Sequence, residues 1–155
     1  MSKKKNIRII TTKDTKSVKK CLREISEPVT EVTPELLTLI KVMKDLKANC
    51  GVGLAAPQVG VNKQIIIVDN PDRNEKNWVF FNPKITPLTE EQFSAQEGCL
   101  SVPGGNFRVS RYTEILLEAL DEKFNPIRLI ADGLFARIIQ HECDHLQGIL
   151  ICDSK

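Results

Sequence analysis

The chain has 155 residues, 41% hydrophobic and 27% charged, with a formal net charge of +2. This balance is that of an ordinary globular chain: it excludes disordered and fibrous classes, and the charge is too small to point to direct DNA binding. No apolar run approaches the length of a membrane span, so no membrane partner is expected.

One domain, residues 1–155, suits this length and can bury a core without disulfide staples. The five cysteines, Cys21, Cys50, Cys99, Cys143 and Cys152, are odd in number and show no paired spacing. The first 20 residues lack the apolar core of a signal peptide. A reducing, cytoplasmic setting is therefore expected, with an organellar matrix or the cytoplasm of a phage-infected host as variants.

Residues 3 to 23 carry Lys3, Lys4, Lys5, Arg8, Lys13, Lys16, Lys19, Lys20 and Arg23 against one acid, Asp14. This stretch reads either as a solvated terminus or as weak attraction to a polyanion such as ribosomal RNA. Apolar anchors (Ile7, Ile9, Ile10, Val18, Leu22, Ile25) predict a strand or extended arm that wraps the surface over the first 30 residues.

Thr33-Pro34-Glu35 predicts a helix start, with a capping hydroxyl, a proline at the first helical position and an acid suited to the dipole. Leu36, Leu37, Ile40, Met43 and Leu46 follow at helical spacing, and Asn49 and Gly51 end the helix near residue 48. Beyond Val52 the texture is that of strands. Gln64 to Asp69 holds the buried run Ile65-Ile66-Ile67-Val68, and Trp78 to Phe81 is a strand stopped by Asn82-Pro83. Pro103-Gly104-Gly105-Asn106 predicts a turn, and Thr113 to Leu120 a mostly buried strand. A second helix begins near Gly133 behind Asp132 and stops at Gly148, and Ile149-Leu150-Ile151 predicts a short final strand. The sum is an α+β domain with mixed or antiparallel sheets.

The chemistry concentrates in three segments. His141-Glu142-Cys143-Asp144-His145 places the chain's two histidines four residues apart, on one face of a helix, where both imidazoles can reach one metal ion. Glu142, next to the first histidine, can act as general base toward an activated water. Cys143 lies about 200° round the helix from His141 and belongs to the core. A hydrolytic metal needs a third protein ligand and an open position. Cys99, in Glu97-Gly98-Cys99-Leu100-Ser101, offers that ligand, and thiolate plus two imidazoles suits zinc, ferrous iron, nickel or cobalt rather than magnesium or calcium. Gly51-Val52-Gly53-Leu54-Ala55-Ala56-Pro57-Gln58 is small enough to let another backbone come close, and Gln58 supplies an amide donor for an oxyanion. Each segment also has a plain structural reading: surface histidines, a small buried cysteine, a packed glycine-rich turn.

In order and spacing the three segments resemble the signature motifs of peptide deformylases, over roughly residues 30 to 150. That family's first motif is matched by 51–58, its second by 97–101 and its third by 140–148. The resemblance implies an α+β fold built around the third-motif helix. It implies a metal held by Cys99, His141 and His145, ferrous iron in the cell, with zinc, nickel or cobalt as substitutes. Glu142 would be the general acid and base, and the Gln58 side chain and Leu100 N–H the oxyanion hole. Gly53, Leu54, Glu97 and Gly98 would line the extended substrate, with Leu134 and Ile138 around its methionine. The reaction would release formate from formyl-methionyl nascent peptides, with the ribosome as an attendant partner.

Asp144 is a candidate to orient a ligand histidine, and Glu97 to pair with a base, Arg111 being at hand. Two places depart from the family's habit: Asn106 or residues near it, where relatives often carry arginine, and Arg137, where they often carry an aliphatic residue. The sequence given stops at Lys155, where bacterial relatives frequently continue, so ribosome docking through such an extension is not expected. A zinc metallopeptidase shares the His-Glu-x-x-His core but leaves Cys99 and residues 51–58 unexplained. A copper site would want an axial methionine, and only Met1 and Met43 exist. An inactive binding module would need a broken Glu142 or Gln58.

Overall fold

The computed structural model describes residues 7–49 and 51–153. Lys3, Lys4, Lys5 and Cys50 lie outside them.

The first long helix spans Pro34–Ala48, and the Thr33 hydroxyl accepts from the Leu36 N–H, a cap worth about 1 kcal/mol. It is preceded by a single turn, α1 (Lys16–Lys19), so it is α2. The last helix, α3, spans Gly133–Leu146. Strands β1 (Gly53–Ala55), β2 (Ile65–Asn70), β3 (Glu75–Pro87), β6 (Glu114–Leu120) and β7 (Pro126–Asp132) form one antiparallel sheet in the order β1-β2-β3-β6-β7. β4 (Gln92–Cys99) and β5 (Val102–Tyr112) form a separate hairpin. The fold is α+β, and the sheets are antiparallel rather than mixed; the parallel pairing present is an isolated bridge, Glu27 to Lys63.

The run Ile65-Ile66-Ile67-Val68 is fully buried because the sheet has a helix on each side. Strand side chains alternate in direction. Ile66 and Val68 therefore pack with Phe80, Ile115, Leu117 and the Phe135, Ile138 and Ile139 face of α3. Ile65 and Ile67 pack with Leu54, Phe81 and the Ile40 and Met43 face of α2. Each such side chain contributes roughly 1.5–3 kcal/mol, enough to seat α3 firmly on the sheet.

Four expectations need correction. β3 does not stop at Asn82-Pro83. Asn82 adopts a positive φ of 53°, the register shifts between Phe81 and Lys84, and the strand continues to Pro87. At this irregularity the Asn82 side-chain amide bonds both Val29 N–H and Val29 C=O, at 2.8 and 2.9 Å, while its backbone N–H donates to Gln64 C=O. Residues 103–106 are not the hairpin turn. That turn is Leu100-Ser101, and 103–106 bulge within β5, since Glu97 faces Phe107 while Cys99 faces Val102. Ile151–Asp153 form a 3₁₀ turn, not a strand, with Leu150 N–H donating to the Asp153 carboxylate. The N-terminal arm is partly helical, through α1 and a 3₁₀ turn at Lys20–Arg23. It is also tied into the fold, with Ile10 N–H donating to Gln58 C=O and Thr12 N–H to Ser101 C=O.

Candidate functional site

The helical period carries Leu134, Ile138 and His141 to one wall of a pocket. Leu134 is exposed on the rim and Ile138 is buried. The opposite walls are Gly51, Val52 and Gly53 with Gln58 from the β1 side, and Gln96 to Leu100 from the end of β4. Glu142 also lines the pocket and is buried. Leu54 is not on the wall: its side chain is wholly buried in the α2 core, a consequence of strand alternation after Gly53.

Cys99, His141 and His145 offer ligand atoms that all lie within 4.8 Å of one another. The Cys99 Sγ to His145 Nε2 distance is 3.5 Å. A tetrahedral ion with a metal–sulfur bond of about 2.3 Å and metal–nitrogen bonds of about 2.0–2.1 Å would hold sulfur and nitrogen about 3.5 Å apart. The donor set therefore fits one ion of zinc or late first-row type. His141 Nδ1 sits 2.8 Å from Glu97 Oε1, which fixes the ring and leaves Nε2 as the free donor. His145 is 2% exposed, and burial, aided by the neighbouring His141 charge, pushes it down to about 3, the neutral form a metal requires. Burial also lowers His141, yet Glu142, Cys99 and Glu97 together raise it to about 10.

Glu142 is 4% exposed, burial raises it to about 7, and among the described residues its Oε1 has no hydrogen-bond partner. The absent side chain of Gly53 makes room for it: a Cβ there would fall 2.5 Å from Glu142 Oε2. Gln58 is oriented from both ends. Its Oε1 accepts from the Ala55 N–H at 3.0 Å, and its Nε2 donates to Ser101 Oγ at 3.2 Å and lies 3.7 Å from Cys99 Sγ. Because the Ala55 N–H must meet an oxygen, the amide nitrogen is the end that faces the cluster. Leu100 is exposed beside it at the tip of the hairpin.

Glu97 is the hub of the surrounding charges. Its oxygens receive Arg111 Nε and Nη2 at 3.1 and 2.9 Å, Arg137 Nη1, and His141. Burial would raise this carboxyl, but the bonds from His141 and Arg111 hold it down at about 2. The expected pairing of Glu97 with Arg111 is present. Asp144 does not orient a histidine; it is taken by Arg111 Nη1. Cys143 faces the sheet core, away from the cluster, and burial pushes its thiol up. Sequence reasoning missed Ser101 as the partner of Gln58, although it closes the 97–101 segment. Arg137 stood out only as an unusual residue, because which groups its guanidinium meets depends on how the hairpin folds over α3.

Comparison with known proteins agrees. The polypeptide deformylase family model matches residues 8–155. The chain is 46% identical over 133 residues to a peptide deformylase of Psychrobacter cryohalolentis, covering 85% of this chain and 72% of that protein. It superposes on a crystal structure of a peptide deformylase from Legionella pneumophila with a TM-score of 0.86 and 35% identity, over 96% of this chain and 85% of that one. A probable peptide deformylase from Synechococcus phage S-SSM7 gives 0.84 and 38%, over 97% and 100%. With its fold, its three motif segments and its clustered Cys99, His141 and His145, the chain belongs to the polypeptide deformylase family.

Proposed function

We propose that residues 1–155 act as one catalytic domain that carries out the reaction of its family, deformylation of N-formyl-methionine on newly made polypeptides, at the Cys99/His141/His145 pocket. The observation that carries this reading is that Cys99 and His141 of that cluster line one pocket with the buried carboxylate of Glu142 and the Gln58 amide. The enzyme is metal-dependent, and ferrous iron is the ion we assign in the cell, with zinc, nickel and cobalt as substitutes the same donors accept.

When bound, such an ion would act as a Lewis acid and bring water toward a neutral pKa. The chain's own groups do the rest. Gly53 and Gly98 hold the substrate backbone beside β1 and β4, while Leu134 and Ile138 receive the methionine side chain. Glu142, poised near neutrality by burial, takes the proton of the attacking water and returns it to the leaving amine. Gln58 Nε2 and the Leu100 N–H donate to the oxygen on which charge develops. Glu97 keeps His141 in the required tautomer.

The substrates are formyl-methionyl nascent chains met in the cytoplasm, close to the ribosome; among the described residues no helix is long and apolar enough to cross a membrane. Formate release from a short formyl-methionyl peptide by iron- or nickel-loaded protein, beside an acetylated control, tests the reading. Glu142→Ala should keep its metal and lose about 100- to 10,000-fold in turnover. Normal turnover by that variant, or no formate from fully metallated wild type, removes the assignment.

A further inference from the structure

We propose that Arg137 is a positioning residue that sets the geometry of the Cys99/His141/His145 cluster by fastening the β4–β5 hairpin to α3. The inference rests on reading that cluster as the metal site.

Cys99 and the two histidines come from different bodies. The histidines ride on α3, which the apolar core seats on the five-stranded sheet. Cys99 ends β4 in a hairpin that, among the described residues, forms a sheet separate from that one. The hairpin's own apolar cluster, Val102, Val109, Leu150 and Ile151, includes no residue of α3. The joint between hairpin and helix combines the packing of Tyr112 on the α3 core with a set of polar bonds. Gln140 bonds the Tyr112 N–H and C=O, both at 2.9 Å. Arg111 bonds Glu97 and Asp144.

Arg137 completes the joint from the helix side. It precedes His141 by four residues, so both lie on one face of α3. Its Nη2 donates to Phe93 C=O at 2.5 Å, and its Nη1 donates to Val109 C=O at 3.1 Å and to Glu97 Oε2. The guanidinium carbon lies 5.9 Å from the centre of the Phe93 ring. One side chain thus holds both strands of the hairpin, and it does so from Phe93 along β4 to Glu97, two residues before Cys99. Through Glu97 it also restrains the carboxylate that fixes His141. Arg137 therefore acts on the thiolate and on one imidazole at once. A planar fork reaches these acceptors from two separate nitrogens in a fixed geometry, whereas an ammonium offers its donors from one. An aliphatic side chain at this position would offer none of them a donor.

The test is cobalt binding by apoprotein, titrated against a chelator, with the thiolate charge-transfer and ligand-field bands recorded. Arg137→Ile should bind Co²⁺ about tenfold more weakly and shift the ligand-field bands. Arg137→Lys, which can still reach Glu97, should fall between that variant and wild type in both readouts. Phe93→Ala removes an exposed ring but keeps the carbonyl, and should weaken binding less than Arg137→Ile. Wild-type affinity and bands in Arg137→Ile would overturn the proposal; should that variant not fold, wild-type values in Arg137→Lys would do the same. Formate release by wild type tests the reaction separately, because the cobalt titration reads Arg137 without any turnover.

Discussion

Gly53→Ala is the smallest change that reaches Glu142 without touching a ligand. Gly53 needs no left-handed backbone, so any effect is steric. The new methyl would stand 2.5 Å from Glu142 Oε2 and 3.0 Å from its Cδ and Cγ. An ordinary carbon–oxygen approach is about 3.3 Å, so the carboxylate or the strand must give by roughly 0.8 Å. β1 is paired in register with β2 from Gly53 to Ala55, and the Leu54 and Ala55 side chains are wholly buried, so the carboxylate yields more readily than the strand. Misplacing a reacting group by about 1 Å costs about a hundredfold in rate. Overpacking of this kind costs about 1–3 kcal/mol, and each kcal/mol lowers the melting temperature of a domain this size by about 2–4 °C. The assay is kcat/KM for formate release, with metal content and melting temperature measured on the same preparation. Metal content should stay at the wild-type level while kcat/KM falls about a hundredfold. A fully metallated Gly53→Ala within threefold of wild type would refute the account of Glu142 as the group this glycine accommodates.

Cys99→Ser replaces a soft thiolate by a hydroxyl and should lose most bound metal and turnover together; unchanged metal content and rate would remove Cys99 from the site. Glu97→Gln takes the charge away from buried Arg111 and from Arg137, and weakens the hold on His141 Nδ1. It should cost about 3–5 kcal/mol in thermal or urea unfolding and about 10- to 100-fold in metal affinity. Hydrogen bonds from Arg8 hold Asp14 at about 2, below its ordinary 3.8. A depressed carboxyl contributes stability that is complete above its unfolded value and is lost as pH falls through the folded one. Acid titration of wild type against Asp14→Asn should therefore show the advantage of wild type fading between about pH 4 and pH 2, and parallel curves would disprove the contribution of the pair.

Much of the site was legible because its spacing obeys the local geometry of the backbone. Four residues make about one turn of a helix, so His141 and His145 had to share a face wherever α3 went, and Cys143 had to leave it. Thr33-Pro34 and the Leu36-to-Leu46 periodicity likewise carry their own start and stop signals, and α2 lies where they put it. The misreadings fall where a distant group supplies what local chemistry lacks. Asn82-Pro83 reads as a strand end, although Val29 holds the Asn82 side chain at a left-handed kink and the pairing resumes at Lys84. Pro103 to Asn106 reads as a turn, although the chain reverses at Leu100-Ser101 and leaves those residues in a bulge.

Sequence by itself determined which donors were available, a thiol, two imidazoles, a carboxylate and an amide, because side-chain chemistry and helical spacing are local properties. Only the tertiary structure decided that Gln58 turns its nitrogen toward Cys99, that Glu97 rather than Asp144 orients His141, and that Arg137 bolts the hairpin to α3. Those pairings join residues 28 to 44 positions apart, and they exist only where packing of α3 on its sheet brings the segments within hydrogen-bond reach.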